Sequence, residues 1–209
     1  MDITTHVSAQ VNTPSDALAP LRLAVIVASN REGRFALVIA DWFLSRAAEH
    51  DDLDIDVIDL AGIELPTALS FNPSGEVKAV LAQVSPRLDA ADAFVVLTPE
   101  YNHSFPASLK NLIDWTGSEW HAKPVGFVSY GGMSGGLRAV EQLRQVFAEM
   151  HATTIRDTVS FHGPRAHFDD DGRHKDPSAP NTAAKALLNQ LTWWAHALQN
   201  AKSARAYTG

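Results

Sequence analysis

The chain has 209 residues, of which 45% are hydrophobic and 20% charged, with a formal net charge of −7 and no cysteine. That length suits a single α/β domain, and the ordinary composition excludes a wholly disordered or fibrous chain. Without cysteine there is no disulfide, Cys-ligated zinc, iron–sulfur cluster or thiol nucleophile, and the negative balance argues against broad nucleic-acid binding, which needs a basic face.

Residues 1–20 are polar and carry two prolines, so they read as a flexible tail. They lack the basic segment and apolar core of a secretory signal. The longest apolar runs, Leu23–Ala28 and Ala93–Leu97, fall far short of the about 20 residues a membrane span needs. The expected location is cytoplasmic.

Leu21–Ser29 is apolar and β-branched, and reads as a buried parallel strand. Phe35–His50 follows at helical spacing, with Ala36, Ile39, Ala40, Phe43, Leu44 and Ala47 on one face. Leu53–Leu60 alternates apolar with acidic residues, as an edge-like strand with Asp54, Asp56 and Asp59 on its wet side does. A helix is expected over Glu76–Asp89, a buried strand over Ala93–Glu100 and a short helix over Pro106–Trp115, where proline near the first turn costs little. Then come a strand over Pro124–Tyr130, a helix over Leu137–His151, a strand over Thr153–Phe161, a polar loop over 162–181 with three prolines, and a helix over Ala183–Ala204. Strict alternation of strand and helix predicts a parallel sheet with helices on both faces. Five strands suit the flavodoxin-like order 2-1-3-4-5 in one domain over 21–204.

In such a sheet the ligand sits beyond the strand carboxyl ends, near the switch point between strands 1 and 3. Three unusual stretches should converge there. Ser29-Asn30-Arg31-Glu32-Gly33-Arg34-Phe35-Ala36 combines a hydroxyl, two guanidinium groups and a glycine at a helix N-terminus, which makes an anion cradle suited to a phosphomonoester. It is neither a P-loop nor a GxGxxG dinucleotide fingerprint. Thr98-Pro99-Glu100-Tyr101-Asn102-His103-Ser104-Phe105-Pro106-Ala107 is stiffened by prolines and offers rings and polar edges to a planar heterocycle. Ser129-Tyr130-Gly131-Gly132-Met133-Ser134-Gly135-Gly136 lets the backbone approach a ligand closely. The last stretch also matches G-x-S-x-G formally, so a serine hydrolase using Ser134 is an alternative.

Other features read blandly. His162 and His167 are solvated histidines, not a metal pair. Asp169-Asp170-Asp171-Gly172 is a fragment of a calcium loop without its closing glutamate. Trp193 and Trp194 belong to core or subunit interface. Phe105, Leu109, Leu112, Ile113 and Trp115 give the short helix more apolar surface than one sheet face requires, which predicts a homodimer, paired or not into a homotetramer.

Taken together, the three loops resemble the NADPH-dependent FMN reductase family, with its quinone, chromate and azo-dye reductases. The likeness covers about Leu21–Val159 and is strongest over TPEYNHSFPASLKNLIDW (Thr98–Trp115). It implies a flavodoxin-like fold, bound FMN, NADPH or NADH as co-substrate, and a homodimer or homotetramer whose partner subunit covers part of the flavin. It implies that Ser29, Arg31, Arg34 and the N–H groups near Phe35 and Ala36 hold the phosphate. Pro99, Glu100, Tyr101 and Asn102 would flank the isoalloxazine on one side, and Ser129, Tyr130, Gly131 and Gly132 would form the glycine-rich flavin loop, with the backbone N–H groups of Gly131 and Gly132 facing the pyrimidine edge. No side chain is required as acid or base for hydride transfer, so no catalytic residue is named. The resemblance implies an NAD(P)H oxidoreductase working by a ping-pong sequence on a quinone, free flavin, azo compound or metal oxyanion. A flavin-binding electron carrier without nicotinamide turnover is the other flavin reading.

Overall fold

The structure is a computed structural model and describes residues 19–209. Almost all of the expected N-terminal tail therefore lies outside the described residues. The chain runs β1 (Leu21–Val27), α1 (Ala36–Ala47), β2 (Leu53–Asp59), α2 (Gly75–Ala90), β3 (Ala93–Pro99), α3 (Ala107–Trp115), β4 (Pro124–Gly131), α4 (Leu137–Glu149), β5 (Thr153–His162) and α5 (Ser178–Ala204), with short 3-10 turns at Leu60–Gly62, Ser118–Trp120 and Pro164–Ala166. The five strands are all parallel, in the order β2-β1-β3-β4-β5. This is the flavodoxin-like arrangement the sequence pattern predicts, with β2 at one edge.

Each central strand is largely apolar because it feeds two cores. Side chains alternate across the pleat. Leu21, Leu23, Val25 and Val27 of β1 join α1 and α5 on one face, while Ala24, Ile26 and Ala28 join α2, α3 and α4 on the other. β2 lies at the edge and is only partly covered, which is why it alternates with aspartates.

Two expectations need correction. α5 starts at Ser178, five residues before the expected Ala183, and runs through Pro180. Proline is tolerated there because the first-turn N–H groups have no intrahelical acceptor to lose. The apolar surface of α3 is not surplus either. Leu109, Leu112 and Ile113 are buried in the chain's own core, Phe105 packs against that core, and the Trp115 indole donates to the Pro66 carbonyl at 2.7 Å. The long β2–α2 connection folds over α3 and absorbs the face that suggested a subunit contact. No helix among the described residues is long and apolar enough to cross a membrane.

Candidate active site

The three stretches meet at the carboxyl ends of β1, β3 and β4. After β1 the chain buries Ser29 and then exposes Asn30 and Arg31. Gly33 turns it at φ +62°, a conformation that strains other residues. α1 then begins with Phe35 at its N-cap and no side-chain cap, leaving first-turn N–H groups and the positive end of the helix dipole free for an anion. Arg34 folds back over this loop. Its guanidinium forms a fork onto the Asp59 carboxylate at 2.5 Å and also donates to the Ser29 carbonyl at 2.5 Å. The hydrogen bond from Arg34 holds the Asp59 carboxyl below its ordinary range, and Asp59 in turn raises the arginine. Asp59 stands at the end of β2, beside the switch point. The alternation of β2 assigns it to the wet side and says nothing of this pairing.

The second stretch leaves β3 through Glu100. Tyr101 and Ser104 exchange backbone hydrogen bonds at 2.8 and 3.0 Å around Asn102 and His103, whose φ values are +49° and +76°. Two consecutive positive φ angles define a type I′ turn, suited to asparagine and unusual for histidine. Gln142 of α4 holds the turn by accepting from Ser104 Oγ at 2.5 Å and donating to the His103 carbonyl at 3.0 Å. Tyr101 returns toward the first loop, where its hydroxyl lies 2.6 Å from Ser29 Oγ. Ser108 at the start of α3 donates to the Ala28 carbonyl at 2.7 Å.

The third stretch closes on the second through Glu100. The Glu100 carboxylate accepts from Ser134 Oγ, from the Arg138 backbone N–H at 3.3 Å and from the Arg138 guanidinium at 3.2 Å. Burial opposes ionisation of Glu100, but these donors outweigh it and hold the carboxyl below its ordinary value. Gly135 and Gly136 have φ of +61° and +88°, and a Cβ on Gly136 would lie 2.7 Å from Ser129 Cβ. Gly132 faces open space. Ser134 is thus bonded to a carboxylate rather than an imidazole, and the His162 ring faces the Met133 carbonyl at 3.3 Å. No Ser–His pair of the hydrolase kind forms here.

The cofactor-binding residues named from the sequence lie on the three stretches that meet here, but they differ in what they offer. Arg31 is exposed and Arg34 is already engaged by Asp59. Tyr130 turns its ring under the first loop, among the residues that pack on α1, and its phenol, close to Ser29, Tyr101 and Arg34, is buried without a hydrogen-bond partner. Asp59, Ser108, Arg138 and Gln142 were missed. Arg138 had a legible signal, a cation two positions past a glycine-rich turn, but nothing local in the sequence pairs it with Glu100. No group of three or more His, Asp or Glu side chains among the described residues is placed to hold a metal ion. Trp194 packs against the core, whereas Trp193 is exposed.

The sequence profile for the NADPH-dependent FMN reductases matches residues 21–165. An NAD(P)H-dependent FMN reductase of Schizosaccharomyces pombe is 33% identical over 132 residues, covering 60% of this chain and 64% of that protein. A probable NADPH:quinone oxidoreductase of Oryza sativa is 33% identical over 187 residues, covering 81% and 86%. Among solved structures, the flavoenzyme NAD(P)H:(acceptor) oxidoreductase of Paracoccus denitrificans superposes with a TM-score of 0.64 at 20% identity, covering 83% of this chain and 97% of that one. The last likeness concerns the fold alone.

Proposed function

This chain belongs to the NADPH-dependent FMN reductase family, and from that premise we propose that it is an FMN-dependent NAD(P)H oxidoreductase serving a small-molecule acceptor such as a quinone, free flavin, azo compound or metal oxyanion. The observation that carries the reading is the junction itself. Ser29 to Tyr101, and Glu100 to Ser134 and Arg138, tie an anion cradle, a rigid aromatic turn and a glycine edge together at one corner of the sheet's carboxyl edge. The residues present fit FMN. The uncapped start of α1, Ser29 and Arg31 suit its phosphate. Pro99, Tyr101 and Asn102 suit its ring, and the N–H groups of Gly131 and Gly132 suit its polar edge.

When bound, FMN would supply the redox chemistry, hydride transfer between NAD(P)H and a second substrate, for which a ping-pong sequence is expected. The chain's own work is to bind and orient. Phe35 and Ala36 present backbone donors at the helix start, and Arg34 fixes the loop that carries them. Glu100 clamps the ring-flanking turn to the glycine loop, so both walls keep one spacing. Donors at Gly131 and Gly132 would favour negative charge at the neighbouring ring edge. No side chain acts as acid or base. On the resemblance, the assembly is a homodimer or homotetramer and its location cytoplasmic.

The test is the absorbance spectrum of the purified protein and the identity of the released chromophore. These are followed by NADH and NADPH oxidation with a quinone, an azo dye and free FMN. One FMN per chain and parallel double-reciprocal lines are expected. FAD in its place, or no flavin after reconstitution, overturns the proposal.

A further inference from the structure

Four polar side chains crowd the corner beneath the start of α1, and three of them are satisfied within the chain. Ser29 Oγ and Tyr101 OH pair with each other at 2.6 Å, and Arg34 spends its donors on Asp59 and the Ser29 carbonyl. The fourth, the Tyr130 phenol, is buried with its residue only 6% exposed and is the one buried side-chain polar atom among the described residues with no partner. Such an atom costs free energy unless something fills its hydrogen-bonding capacity. Its position follows from strand parity. Tyr130 falls on the β4 face that packs toward α1 and α5, together with Val128, so its ring rises under the loop that caps α1. The glycine edge at Gly131 and Gly132 lies one residue further on.

We propose that the Tyr130 phenol donates to the phosphomonoester of the bound flavin and so selects FMN over riboflavin. This rests on the function proposed above and assigns within it a donor from β4, beneath the helix N-terminus of α1. Burial pushes the phenol up in pKa, so it stays a protonated donor throughout the working range. A permanent neutral donor suits an anion already facing an uncapped helix end. It adds a hydrogen bond without the desolvation cost of another buried charge. The orphan phenol and the uncapped helix are then two halves of one site, each incomplete in the chain alone.

The experiment titrates flavin-stripped wild type and Tyr130→Phe with FMN and with riboflavin, following flavin fluorescence, and records thermal unfolding of the flavin-free proteins. The phenylalanine keeps the ring and removes only the hydroxyl. Expected is a loss of FMN affinity of about ten- to 150-fold, the range for a hydrogen bond to a charged group. Riboflavin affinity should be unchanged within about twofold, and the flavin-free variant should melt at or above the wild-type temperature because an unsatisfied group has been removed. Equal FMN affinity in the two proteins overturns the inference, as would happen if the phenol were satisfied by water. So does equal weakening toward both flavins, which marks a structural role. Wild type that binds riboflavin as tightly as FMN also overturns it. Wild type that binds neither flavin overturns the proposed function itself, a distinguishable failure.

Discussion

At the amino end of the strands, Lys123 is buried just before β4, and its amine donates to the Leu88 and Asp89 carbonyls at 2.9 and 2.7 Å. At the carboxyl end, seven residues further along the same strand, Tyr130 is equally buried and its phenol has no partner. Two more pairs make the same contrast. His151 and Ala122 hold positive φ angles at the amino end, but there the strain closes the chain on itself. Ala122 N–H bonds the His151 carbonyl at 2.9 Å, and His151 stacks on His121. Asn102 and His103 hold theirs in an exposed turn between β3 and α3. One end of the sheet satisfies its polar groups internally. The other leaves the start of α1 without a side-chain cap and a buried phenol without a partner, and a buried group of that kind calls for an explanation, which the flavin site proposed above supplies.

If that contrast is right, substitutions at the two ends should separate stability from flavin affinity. The largest effect belongs to Gly136→Ala. Left-handed strain of about 1–3 kcal/mol adds to overpacking of about 1–3 kcal/mol, since the new Cβ meets Ser129 Cβ at 2.7 Å and the Tyr130 backbone N at 2.8 Å. Urea unfolding should show a loss of roughly 2–6 kcal/mol with flavin retention abolished; a near-neutral result would mean the glycine loop is not packed as described.

Next is Arg34→Ala, which releases Asp59 and frees the loop before α1. FMN affinity should fall by about ten- to 150-fold, with turnover at saturating FMN within a few-fold of wild type. Arg34→Lys should rescue little, because a lysine cannot form the two-pronged contact with Asp59. Normal FMN binding with lost turnover would place Arg34 on NAD(P)H or acceptor instead.

A smaller effect concerns acid. The Asp59 carboxyl titrates below its ordinary value in the folded chain. Its contribution is therefore present above the unfolded value of about 3.9 and is lost as pH falls through the lower folded value. Asp59→Asn should flatten that acid limb of the unfolding curve and weaken FMN a few-fold. An acid limb identical to wild type would sever Arg34 from the loop's stability.

The smallest effect is expected at the closed end. Burial lowers Lys123 to about 8, so between there and the usual lysine value the unfolded chain holds more protons and stability rises with pH. Lys123→Met should erase that rise and leave FMN affinity unchanged. A flavin effect there would show that the two ends are coupled.

The strand order was legible because period-2 alternation and strand–helix alternation leave few parallel arrangements. The buried runs at Leu23–Ala28 and Ala93–Leu97 could only be central, and the aspartate-striped Leu53–Asp59 only an edge. The location of the cleft followed from that order, since ligand loops gather where neighbouring crossovers diverge. The start of α5 was not legible, because proline reads as a breaker until its place in a first turn is known. Nor was the fate of the α3 face, which depends on a connection of low regularity folding back across it.

The sequence by itself determined which three stretches follow β1, β3 and β4 at the carboxyl edge of the sheet, because strand ends are set by local pattern. Only the tertiary structure decided what those residues do with their polar atoms. Arg34 meets Asp59 across 25 positions and Glu100 meets Arg138 across 38. The Tyr130 phenol lies close to Ser29, Tyr101 and Arg34 yet has no hydrogen-bond partner, although by position it looked no different from its neighbours. Hydrogen bonds act over about 3 Å of space, and no local periodicity encodes which distant side chains arrive within it.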